Sequence, residues 1–162
     1  MTEKALLLRQ LHQAFDQQSW HGPNLYGSIR GLQLDTAAWR PTPDRHNIWE
    51  LIVHAAYWKY TVVRRITGEK RGSFALEGSN FFVRPYEHSS ASLKADIKLL
   101  KRSHKRIIET LEAMKPSDLD KIPMNSRVPN RDVILGIAAH DIYHAGQIQL
   151  LKRLFVGRKN EE

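Results

Sequence analysis

The chain has 162 residues, with 25 Lys and Arg against 17 Asp and Glu, for a net charge of +8. That length suits one compact domain, and 41% hydrophobic with 26% charged residues excludes a disordered chain. With no cysteine, disulfides, cysteine-based zinc sites and thiol nucleophiles are excluded together. The apolar run Ala5-Leu6-Leu7-Leu8 is interrupted by Arg9, too short for a signal-peptide core or a membrane span, so a soluble, cytoplasmic domain with no membrane partner is expected.

Four long segments have helical periodicity, and no segment alternates for long enough to read as a strand. The first is predicted from Glu3 to Gln18, its stripe formed by Leu7, Leu8, Leu11, Ala14 and Phe15. Trp20-His21-Gly22-Pro23 breaks it, and a short helical piece is predicted from Asn24 to Gly31. The stretch from Gln33 to His46, with Pro41 and Pro43, reads as turns.

Asn47 has the signature of an N-cap, with Glu50 as the reciprocal member of a capping box, and a second long helix follows to Thr67, closed by Gly68. Residues 69–89 form a long loop whose aromatics Phe74, Phe81, Phe82 and Tyr86 suggest that it folds back over something. The third long helix, Ser90 to Met114, carries a seam stepping by four and three: Leu93, Ile97, Leu100, His104, Ile107, Leu111 and Met114. The fourth, Arg131 to Phe155 with Asn130 as its cap, repeats those steps through Val133, Ile137, His140, His144, Gln147, Leu151 and Leu154. The economical architecture is an all-α four-helix bundle of up-down helices with long irregular connections. One domain is expected over residues 1–158, with a short polar tail at 159–162.

Eight histidines are the unusual feature, and their positions carry the functional reading. His140 and His144 are four residues apart, so they share one helix face and can share one metal ion. Both lie on the apolar stripe, and the second long helix carries His54 inside Leu51-Ile52-Val53-His54-Ala55-Ala56. Inward polar residues on facing helices are how sites in bundles are assembled. Three imidazoles would leave a position open on a divalent ion, the arrangement of catalytic sites. The competing reading makes each a core histidine bonded to a hydroxyl or carbonyl.

Trp20-His21-Gly22-Pro23, the His54 helix with Trp58, and His140-Asp141-Ile142-Tyr143-His144-Ala145-Gly146-Gln147-Ile148 together resemble the DinB/YfiT-like superfamily. The resemblance implies a four-helix bundle with a divalent metal held by three histidines, one on the second long helix and two on the fourth, which match His54, His140 and His144. It implies zinc or nickel, with manganese or iron as alternatives, and a homodimer. It also implies either transfer chemistry on a low-molecular-weight thiol or hydrolysis as a metal-dependent hydrolase.

No general base stands out, so catalytic residues are unassigned and four side chains are candidates to support the site. Gln147 lies one turn after His144 on the same stripe. Glu50 lies one turn before His54 and is either its partner or the capping-box residue, the second being favoured. His104, in an apolar seam, is a satisfied core histidine, a cross-bundle hydrogen-bonding group or part of the pocket. His21, at a helix break, could approach the site, whereas His12, His46 and His88 read as surface, and Asp141 as facing away from the histidines. Lys94, Lys98, Lys101, Arg102, Lys105 and Arg106, with Arg64, Arg65, Lys70 and Arg71, supply a basic surface that reads as solvated rather than as a nucleic-acid footprint. The functional reading is a metal-dependent enzyme acting on a small-molecule substrate, with a non-catalytic metal- or ligand-binding bundle or a nucleic-acid-associated protein as the alternative.

Overall fold

A computed structural model describes residues 1–158, and the tail expected at 159–162 lies outside the described residues. It contains six α-helices and no strand among the described residues: α1 Glu3–Phe15, α2 Leu25–Ile29, α3 Leu34–Ala38, α4 Ile48–Thr67, α5 Ser90–Ala113 and α6 Asn130–Gly157, with a 3₁₀ turn at Pro116–Asp120. Among the described residues, no helix is long and apolar enough to cross a membrane.

Local chemistry sets most of the boundaries. Asn47 Oδ1 accepts from the Glu50 backbone N–H at 2.8 Å, and Gly68, at φ 76°, ends α4 in the left-handed conformation that a side chain disfavours. Ser89 caps α5 through the Ser92 N–H. α1 stops at Phe15, three residues short of expectation, and Asn24 explains why: its Nδ2 donates to the Gln17 carbonyl while its Oδ1 accepts from Gly27, so the turn is used to start α2. Within the stretch read as turns, residues Leu34–Ala38 make one short helix. Asn130 is already the first residue of α6, not its cap; its side chain donates to the Asp118 carbonyl instead.

The four long helices α1, α4, α5 and α6 form the bundle, and α4 packs against both α5 and α6 while α1 closes the other side. Trp49 at the start of α4 donates to Asp96 near the start of α5, and Ile66 and Thr67 share a cleft with Thr110 and Ala113, so these two helices run parallel. The up-down alternation is therefore interrupted once, where residues 68–89 return the full length of α4. Glu3 pairs with Arg131, so α1 and α6 also start at the same end. Two apolar clusters fill the bundle, one around Trp49, Ile52 and Leu100, the other around Leu7, Leu11, Ile107 and Ile137. The first half of α4 is buried continuously from Ile48 to Ala56, so His54 is held in core with little freedom of rotamer.

Candidate metal centre

Helices α4 and α6 bring three imidazoles to one point. His54 Nε2 lies 3.1 Å from His140 Nε2, which lies 3.0 Å from His144 Nε2. His54 and His144 are buried, at 5% and 4% exposure, and His140 is partly buried. Each of the outer two is oriented through its other nitrogen: His54 Nδ1 donates to the Asn80 carbonyl at 3.0 Å, and His144 Nδ1 donates to Gln147 Oε1 at 2.6 Å. A ring whose Nδ1 carries the proton presents a lone pair at Nε2, so two lone pairs face the third imidazole at one point. Burial pushes all three rings below the ordinary histidine value, His140 to about 3 and His144 to about 4, with the neighbouring imidazoles adding to the effect. Neutral imidazoles facing one another through their lone pairs are a donor set suited to a metal ion. Tetrahedral ligands bonded at about 2.0–2.1 Å stand roughly 3.3 Å apart, close to the spacing here. The cluster could hold such an ion.

The long loop completes the centre, as its aromatics suggested. Asn80, held at φ 63°, accepts the Trp58 indole N–H at 3.0 Å through its side chain while its carbonyl takes His54. Asparagine tolerates that left-handed conformation better than most residues. The Phe81 ring is stacked between two imidazoles, 4.0 Å from His54 and 3.7 Å from His46. A cavity of about 880 Å³ opens beside the cluster, largely apolar through Leu51, Phe81, Leu150, Leu151 and Leu154, with Arg45 and His46 among its polar groups.

The family comparison bears on this arrangement. The family model of the DinB superfamily matches residues 18–148. The chain belongs to the DinB superfamily. No curated protein and no solved structure matches it. The span that matches the superfamily holds α2 to most of α6 and so includes His54, His140, His144, Asn80 and Gln147.

Of the four supporting candidates, Gln147 alone reaches the cluster. Glu50 does not touch His54; its carboxylate takes both terminal nitrogens of Arg40, His46 Nδ1 at 2.8 Å and the Arg84 N–H at 3.2 Å. Nor is the capping box closed, because only the Asn47 half forms. Burial works to raise the Glu50 pKa, but those partners hold it below the usual carboxylate range. His21 is exposed and outside the cavity. His104 is buried at 4% exposure, stacked at 3.8 Å on Phe15, with neither nitrogen hydrogen-bonded, so it is neither a satisfied core residue nor part of this cavity.

Three features were missed. His46 is exposed, as read, but it also lines the cavity; the available signal was its placement four residues before Glu50. Asn80 carried no signal, because nothing local marks which loop carbonyl will meet a buried imidazole. Asp141 does face away from the histidines, but into the core, where it pairs with Lys59, both side chains at 0% exposure. Lys59 on an otherwise apolar stretch of α4 was the available clue.

Proposed function

We propose that the chain holds one divalent ion, zinc or nickel first, on His54, His140 and His144, and uses it in thiol chemistry on a small molecule. The observation that carries this is the convergence of three neutral imidazole nitrogens on the wall of a largely apolar cavity. Bound there, a divalent ion would supply Lewis-acid chemistry, favouring the thiolate of a substrate thiol or the hydroxide of water. The chain has no cysteine, so the thiol comes from the substrate. Asn80 and Gln147 fix the tautomers of His54 and His144 and raise their basicity as ligands.

His46 supplies the proton acceptor that the sequence did not reveal. Glu50 receives its Nδ1 proton, leaving Nε2 free to take a proton from a thiol or water in the cavity. Leu51, Leu151 and Leu154 exclude water around an apolar substrate body, and Arg45 attracts an anionic end. The large apolar cavity favours a thiol transfer with an organic acceptor over simple hydrolysis, which needs no such volume.

Metal content by mass spectrometry on the full chain, with His54→Ala alongside, is the test. About one equivalent of zinc or nickel in the parent and loss in the variant is expected, followed by metal-dependent consumption of low-molecular-weight thiols with an electrophile. A parent that stays metal-free after reconstitution overturns the reading, and ester or amide hydrolysis without thiol consumption moves it to water activation.

A further inference from the structure

A second cavity, of about 640 Å³, lies under the 69–89 loop and shares Trp58 and Asn80 with the cavity of the histidine cluster. Its lining is of a different chemistry. Arg64, Arg65 and Arg71 contribute three guanidinium groups against the single carboxylate of the exposed Glu77. Arg64 is buried to 5% exposure, and its side chain has no hydrogen bond or ion pair among the described residues. The Tyr60 hydroxyl, the Thr61 hydroxyl and Arg65 Nε, on residues that line the cavity, are sealed behind its wall and have no hydrogen-bond partner. Arg65 packs its guanidinium over the Trp58 ring at 5.9 Å, which holds it on this side of the loop.

A guanidinium stays charged at every relevant pH, so a buried one requires a compensating group. Nothing among the described residues provides one for Arg64, whereas Lys59 on the same helix has Asp141. Planar guanidinium forks match oxyanions in two-point hydrogen bonds. We infer that this cavity is a binding site for the oxyanion of a small molecule, a phosphate or carboxylate group, held by Arg64, Arg65 and Arg71. The site does not depend on a metal at the histidines. The sequence read Arg64 and its neighbours as part of a solvated basic surface; for Arg64 the fold overrules that reading.

The test is calorimetric titration of the full chain with inorganic phosphate and, separately, with acetate. Saturable one-to-one binding of at least one anion is expected, and the tighter of the two identifies the class. Arg64→Gln and Arg71→Ala should each weaken it by at least about tenfold, the scale of one lost charge-assisted pair. His144→Ala should leave it unchanged. If Arg64→Gln does not fold, Arg71→Ala in the exposed loop and Arg65→Gln carry the comparison. Absence of saturable binding for both anions overturns the inference. So does binding that survives the Arg64 and Arg71 substitutions, or binding abolished by His144→Ala, which would place the anion at the histidines.

Discussion

His54 on α4 donates its Nδ1 proton to the carbonyl of Asn80, 26 residues later, at 3.0 Å. This bond makes the loop part of the candidate metal centre, because the same residue accepts from Trp58 and holds a left-handed backbone. Asn80→Val, which cannot adopt φ 63° without strain, should displace that carbonyl and weaken metal binding by about 10–100-fold. Asn80→Gly should stay within a few-fold of the parent. Competition against a chromophoric chelator reads both, and a valine variant that binds as tightly as the parent would show that the loop does not support the site.

Gln147 plays the matching part for His144. Gln147→Leu keeps the volume and removes the acceptor, so metal affinity should fall by about tenfold or more while helix content is unchanged. His144→Ala should reduce bound metal below about a tenth of an equivalent. Circular dichroism and metal analysis on the same samples separate loss of a ligand from loss of fold.

Stacking of His46 on Phe81 allows its chemistry to be separated from its shape. His46→Phe preserves an aromatic ring there and removes the proton acceptor. Turnover with a thiol substrate should fall by about 10²–10⁴-fold with bound metal unchanged. Turnover that is insensitive to this change would assign His46 to packing alone.

Lys59 and Asp141 form a fully buried ion pair, tying α4 to α6 beside the histidines. Burial pushes the Asp141 carboxyl up to about 6 and the Lys59 ammonium down, while each partner favours the charged form of the other. Removing one partner strands a buried charge: Asp141→Leu should cost about 3–5 kcal/mol in urea unfolding. Lys59→Met combined with Asp141→Leu should recover most of that loss, since an apolar pair of similar volume needs no compensation.

Acid stability turns on His104. Burial lowers its pKa to about 2, with Lys59 and His12 contributing, against an ordinary value of 6.5. The folded state therefore binds its proton less readily than the unfolded chain. The stability it confers is complete above pH 6.5 and is lost as pH falls below that value. Between pH 7 and pH 5 the metal-free parent should lose about 2 kcal/mol more than His104→Leu. Equal losses in the two proteins, measured by denaturant unfolding at each pH, would mean that His104 is protonated in the fold.

Much of the architecture was legible because it is encoded locally. The four- and three-residue steps of α5 and α6, the Asn47 cap and the Gly68 stop each depend on residues within a turn of one another. The spacing of His140 and His144 is of the same kind. Glu50 and His104 were harder, because a residue's partner across the bundle is not a function of its neighbours in sequence. Glu50 was read against residues on its own helix, but its carboxylate is used by Arg40 and by the backbone of Arg84, 34 residues later.

The sequence by itself determined that this is an all-α chain with imidazoles on the inner faces of two helices, because periodicity and short-range spacing fix which face each side chain takes. Only the tertiary structure decided that α4 and α5 run parallel, that Asn80 and Phe81 close on His54, and that Arg64 is buried beside two unpartnered hydroxyls. Those outcomes depend on the path of the 68–89 connection. Loop closure entropy changes only slowly with length, so the course of so long a segment is set by where its aromatics and carbonyls find partners in the assembled bundle.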